Sequence, residues 1–108
     1  MSTDKGVKLD QGKLKMSLVL GDFAKALTAV VNVGTYGAEK YTEHGWLEVS
    51  SGRERYTDAL LRHLFAELQG EDTDTESELL HAAHVAWNSL ARLQLILRDL
   101  SSNQGFKD

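Results

Sequence analysis

Arg62–Asn88, RHLFAELQGEDTDTESELLHAAHVAWN, decides how this chain folds. Apolar residues recur at helical spacing on both sides of a short acidic turn: Leu64, Phe65 and Leu68 before it, then Leu79, Leu80, Ala83, Ala86 and Trp87. Gly70 stands where the first helix would stop. Two capping boxes, Thr73 with Glu76 and Thr75 with Glu78, mark the start of the second in either of two registers. The segment is therefore expected to be an antiparallel pair of helices.

The polar residues of this stretch share faces. His81 and His84 are three apart, His84 and Asn88 four apart, and Glu78 extends the row three residues before His81. On the preceding helix His63 and Glu67 are four apart. Folded as a hairpin, the pair brings His63 and Glu67 toward His81 and His84, with Glu71, Asp72, Asp74 and Glu76 crowding the turn. Helical bundles hold metals with such carboxylate and histidine pairs. We expect Glu71, Asp72, Asp74, Glu76, His81 and His84 as metal ligands, and His63 and Glu67 as catalytic groups. The oxygen-rich donor set favours Mg2+ or Mn2+ over zinc. The plainer alternative is a solvated turn whose acids favour a helix N-terminus, with His81 on the surface.

Upstream, Arg53 or Arg55 to Gln69 is helical by its stripe of Tyr56, Ala59, Leu60, Leu64, Phe65 and Leu68. Asp22 to Val33 forms another apolar run. Its alanines favour helix over strand, Asp22 can cap it, and Gly34 marks its end. Residues 34–52, with four glycines and no sustained period, read as a long loop, with a turn of helix near Ala38 to Tyr41. Downstream, the second helix of the hairpin continues to about Leu100 with an apolar surface wider than one stripe. Its last part, ARLQLILRDL, is expected to pack on another subunit. The reading is a single all-α domain over residues 1–108, a small helical bundle completed by oligomerisation, with a polar arm at 1–16 and a frayed tail at 101–108.

Composition narrows the partners. The 108 residues carry a formal net charge of −4 and no basic block, which argues against a nucleic-acid duplex. There is no cysteine, so thiolate zinc sites and disulfides are excluded. The polar opening MSTDKGVKLDQGK lacks the apolar stretch of a signal peptide, and no run approaches the roughly 20 apolar residues that cross a bilayer. A cytoplasmic protein without membrane contact is expected. Lysines and arginines stand where a polyphosphate could use them: Lys8 and Lys13 around Asp10 and Gly12, Lys40, Arg53, Arg55 and Arg62. Tyr36, Tyr41 and Trp46 could stack on a base, or simply pin their loop to the core. No Walker-type phosphate loop, GxSxG or HExxH occurs.

Five motifs in order resemble those of the phage-associated dATP/dGTP diphosphohydrolases, a family related to the MazG-like all-α nucleoside triphosphate pyrophosphohydrolases. Lys8, Asp10, Gly12 and Lys13 match a K-x-D-x-G-K arm. Gly37, Ala38, Lys40, Tyr41 and Trp46 match a G-A-x-K-Y segment ending in tryptophan. Arg55, Tyr56, Ala59, Leu60, Arg62 and His63 match R-Y-x-x-A-L-x-R-H. Gly70 to Ser77 match G-E-D-x-D-x-E-S, and His81, His84 and Asn88 match H-x-x-H-x-x-x-N. The resemblance runs from Gly6 to about Leu93. Two residues depart from it: Gly45 stands where the family has asparagine before the tryptophan, and Glu78 where it has glycine after E-S. The arm also has Leu14-Lys15-Met16 in place of the family's prolines, and the paired E-x-x-E and E-x-x-D helices of MazG-like enzymes have no clean copy.

The resemblance implies a metal-dependent enzyme that cleaves a purine deoxynucleoside triphosphate to monophosphate and pyrophosphate, working as a homodimer or homotetramer. Lys8, Asp10, Lys13, Lys40, Arg55, Arg62 and Asn88 would then bind substrate, and Tyr41 or Trp46 would cover the base. The alternatives are a phage protein that binds or sequesters a nucleotide without turnover, which Gly45 leaves open, and a helical interaction protein with a structural polar cluster.

Overall fold

In the computed structural model, which describes residues 5–103, the chain is all-α. Four helices follow in order: α1 (Met16–Asp22), α2 (Ala24–Lys40), α3 (Gly52–Leu68) and α4 (His81–Asn103), with a 3-10 turn at Gly45–Glu48 between α2 and α3. Helices α3 and α4 form the expected hairpin, and α2 packs across α4. Among the described residues no single helix is long and apolar enough to cross a membrane.

The start of α3 at Gly52 and its end at Leu68 lie close to the limits set by its apolar stripe. Its exit is a Schellman motif. The Gly70 amide donates to the Glu67 carbonyl at 2.9 Å and the Glu71 amide to the Ala66 carbonyl at 3.0 Å, with Gly70 at φ +101°. Glycine adopts that left-handed conformation without a Cβ clash.

Three expectations need correction. The helix beginning near Asp22 does not stop at Gly34 but continues to Lys40, and Phe23, not Asp22, occupies its N-cap without a side-chain bond. Much of the anticipated loop at 34–52 is therefore helix, followed by the 3-10 turn. Gly34 persists in the helix because Trp87 of α4 lies against it. A Cβ at Gly34 would sit 3.0 Å from the indole Nε1. Close packing of α2 on α4 outweighs a helix penalty of roughly 1 kcal/mol for an interior glycine.

The second correction concerns the acidic turn. Neither capping box starts α4, which begins at His81. Residues 71–80 fold back on themselves: the His81 amide donates to the Asp72 carbonyl, the Asp74 amide to the Leu79 carbonyl, and Thr73 bridges to Leu80. Asp74 does make a cap-type bond, accepting from the Ser77 amide at 2.9 Å. The helix fails to propagate because Glu78 lies at φ +64°, in the left-handed region. Glu78 therefore does not share a helical row with His81. Third, α4 runs past Leu100 to Asn103, so only residues 104–108 of the expected tail remain, and these lie outside the described residues together with 1–4 of the arm.

The interior is small and mixed. Val33, Ala83, Ala91 and Leu95 are its buried apolar residues, joined by buried His81, His84 and Asn88. Trp46, Tyr56 and Trp87 meet edge to face with ring centroids 5.6–6.2 Å apart, closing one side. The Tyr56 hydroxyl donates to the Trp46 carbonyl at 2.7 Å. Leu90, Leu93, Leu97 and Leu100, on the outer side of α4, stay exposed.

Candidate metal and phosphate site

The hairpin and its folded loop gather three histidines and their partners at one end. His63 arrives from α3, while His81 and His84 stand on the first turn of α4. The Nδ1 atoms of His63 and His81 lie 2.8 Å apart, so one donates a proton to the other. His63 also stacks flat on His84, with centroids 4.2 Å apart and planes at 6°.

The partners define which nitrogen carries a proton. His81 Nε2 lies 3.2 Å from Glu71 Oε1, and a carboxylate can only accept. His81 Nε2 is therefore the donor, which leaves Nδ1 of neutral His81 as a lone pair facing His63. Ser77 Oγ donates to Asp74 Oδ2 at 2.8 Å and lies 2.7 Å from His84 Nε2. Because its one proton goes to Asp74, the hydroxyl accepts from His84 Nε2–H. Asn88 is buried and donates to the His84 carbonyl at 2.8 Å. Among the described residues no buried side-chain nitrogen or oxygen lacks a partner.

Electrostatics follow from this packing. Burial, then the neighbouring His84, pushes His63 below the ordinary imidazole value, and burial does the same to His84 against the pull of Asp74. For Asp74 burial acts upward, yet the Ser77 amide and hydroxyl, with His84 and His63, hold it below the ordinary carboxylate value. Packing thus favours the neutral forms of His63 and His84 and the ionised form of Asp74.

A donor set emerges from these positions. Ligand atoms of His63, Asp74 and His81 all fall within 4.8 Å of one another. Two imidazole nitrogens and a carboxylate suit a divalent ion, and Glu71 orients His81 from behind as outer carboxylates do in metal sites. The other expected ligands are engaged elsewhere. Glu76 pairs with Lys40 and accepts from the Tyr36 hydroxyl at 3.0 Å. His84 Nε2 is on Ser77, Glu71 is on His81, and the exposed Asp72 contributes its backbone carbonyl.

Lys40 at the end of α2 forms the cationic edge. Glu76 raises its pKa through a hydrogen bond, and its ammonium lies 5.1 Å from the centre of the exposed Tyr41 ring. The remaining candidates stand apart. Lys8, Asp10 and Lys13 are exposed in the arm, Arg55 is exposed near the start of α3, and Arg62 lines an open depression with Asp58, Phe65 and Gln69. Glu67 is half-buried one turn beyond His63 without joining the hydrogen-bonded cluster. Trp46 lies among Tyr56 and Trp87 instead of standing free. Sequence reasoning gave no role to Ser77, which ties His84 to Asp74. Its spacing three residues after an aspartate was the available signal.

Comparison with known proteins agrees with the motif order. Residues 3–104 match the family model described as dATP/dGTP diphosphohydrolase, N-terminal. The chain is 36% identical over 81 residues to a dATP/dGTP diphosphohydrolase of Salmonella phage PMBT28. That match covers 75% of this chain and 26% of the phage protein, so the chain corresponds to about a quarter of that relative. No solved structure matches.

Proposed function

Because the chain belongs to the dATP/dGTP diphosphohydrolase N-terminal family, we propose that it takes part in cleaving a purine deoxynucleoside triphosphate between the α and β phosphates. The observation that carries this reading is the convergence of His63, Asp74 and His81 at one end of the hairpin, next to the loop whose Glu76 holds Lys40.

In this reaction water oxygen bonds the α-phosphorus. The bridging oxygen leaves with its electron pair on pyrophosphate, and a proton passes from the water to a base. Mg2+ or Mn2+ held by His63, Asp74 and His81 would supply positive charge against the phosphates. Lys40 would exchange Glu76 for a phosphate oxygen, and exposed Tyr41 beside it would cover the base. Lys8 and Lys13 in the arm would add cations from outside the cluster. His84 lies outside the trio, and burial favours its neutral form, which can accept a proton. Self-association as a homodimer or homotetramer is part of the proposal, supported by the exposed leucine row of α4.

The test is incubation with dGTP or dATP and Mg2+ or Mn2+. Pyrophosphate and the monophosphate should form, and His84→Ala should abolish turnover. Recovery of intact nucleotide despite saturable binding would overturn hydrolysis in favour of binding without turnover. Sedimentation at micromolar concentration reads the assembly.

A further inference from the structure

The donor atoms bear on which ion this centre takes. Two of the three converging groups are imidazoles, whereas the acidic turn read along the sequence suggested an oxygen-rich set. Of the four acidic side chains in that turn, only Asp74 belongs to the converging group. Glu76 is held by Lys40 and Tyr36, Glu71 backs His81, and Asp72 is exposed.

Mg2+ is a hard ion that keeps several waters and prefers carboxylate and phosphate oxygen. Imidazole nitrogen suits first-row transition ions, whose affinities for nitrogen sites rise from Mn2+ toward Cu2+. We infer that His63 Nδ1, His81 Nδ1 and the Asp74 carboxylate form a centre that selects a first-row transition ion over Mg2+.

Independent features of the fold point the same way. His81 is 4% exposed, and Glu71 accepts from its Nε2, which directs the Nδ1 lone pair into the cluster. The nitrogen facing that lone pair is His63 Nδ1, at 2.8 Å, where a shared proton now does what a cation would do. Asp74 is oriented separately, by the Ser77 amide and hydroxyl on its Oδ2. Each donor is thus positioned by a partner outside the trio: Glu71 for His81, Ser77 for Asp74, and the stacked His84 ring for His63. Preoriented donors of this kind are what raise the affinity of a metal site.

The inference rests on the proposed reading of this cluster as the place where hydrolysis takes its metal, but it is read out without nucleotide. Chelator-stripped protein is titrated with Co2+, followed by visible absorption, and with Zn2+, Mn2+ and Mg2+, followed by melting temperature. Co2+ and Zn2+ should bind at micromolar concentration with a rise in melting temperature, while millimolar Mg2+ should leave both signals nearly unchanged. His63→Gln, His81→Gln and Asp74→Asn should each weaken Co2+ binding by about 10- to 100-fold or more, and Glu71→Gln by about 10-fold. Lys25→Ala, at an exposed position of α2, should leave it unaltered.

Because a variant could misfold, paramagnetic broadening by Co2+ of the His63 and His81 ring protons in the unaltered protein provides a second readout. Mg2+ binding as tight as Co2+, Co2+ binding that survives loss of both imidazoles, or no broadening at those rings would overturn the inference. Co2+ binding by these residues without pyrophosphate release would uphold it while overturning hydrolysis. Hydrolysis supported equally by Mg2+ in the His63→Gln, His81→Gln double variant would do the reverse.

Discussion

The imidazole of His63 lies parallel to that of His84, 4.2 Å away, with a third histidine, His81, bonded to its Nδ1. Three rings packed this closely cannot all carry charge at low cost. Acid should therefore destabilise the protein in two stages. His63 and His84 titrate below 6.5, so their contribution is complete above pH 6.5 and is lost as pH falls through their lowered folded values. Asp74 titrates below 3.8, so its contribution persists through that first stage and is lost only as pH falls further. Melting curves of chelator-treated protein from pH 8 to pH 3 should show both stages. His63→Gln should diminish the first and move the second slightly to higher pH, because the His63 ring helps hold Asp74 low.

Glu78 occupies a conformation meant for glycine. A non-glycine residue in the left-handed region costs of order 1 kcal/mol or more, and Glu78 is exposed at φ +64°. Glu78→Gly should stabilise the protein by about 0.5–1 kcal/mol, because relief of strain exceeds the added entropy of the unfolded chain. Glu78→Ala keeps the Cβ and should give no such gain. Urea denaturation of the two variants distinguishes them.

Ser77 links the loop to α4 through a single hydroxyl. Ser77→Ala would leave the His84 Nε2 proton and one Asp74 oxygen without that partner, at a cost of about 1–3 kcal/mol. Ser77→Thr retains the hydroxyl and should recover most of the loss. Equal destabilisation by both changes would show that the bridge is not the cause.

Gly45 is matched to Thr42. A Cβ at Gly45 would come 2.2 Å from Thr42 Oγ1, so the asparagine found in the family cannot enter unless Thr42 moves. Gly45→Asn alone should destabilise by about 1–3 kcal/mol. In a Thr42→Ala background the same change should cost clearly less, a coupling that a double-mutant cycle measures.

Lys40 should matter to substrate more than to folding. Its ammonium is partly exposed and held by Glu76 at the edge of the cluster. Lys40→Met should lower kcat/KM for dGTP by about 100-fold, with little change in melting temperature. Lys40→Arg should keep part of the activity. An unchanged kcat/KM would remove Lys40 from the phosphate site.

The periodicity of Arg62–Asn88 carried much of the fold by itself. The apolar stripe from Tyr56 to Leu68, the Gly70 stop and the repeat through Ala83 and Trp87 are local patterns, and local patterns determine which face of a helix is buried. They placed His63 on one helix and His81 and His84 on its neighbour, and the hairpin brought them together. Periodicity does not state which atoms meet. Gly34 continues a helix because Trp87, distant in sequence, fills the space a side chain would need. Glu76 is turned toward Lys40, which reaches it from another helix. The acidic loop carries two sound capping boxes, yet one left-handed residue and a set of backbone bonds close it on itself. Those outcomes depend on contacts between separate segments, whose energies outweigh the roughly 1 kcal/mol preferences that local sequence expresses.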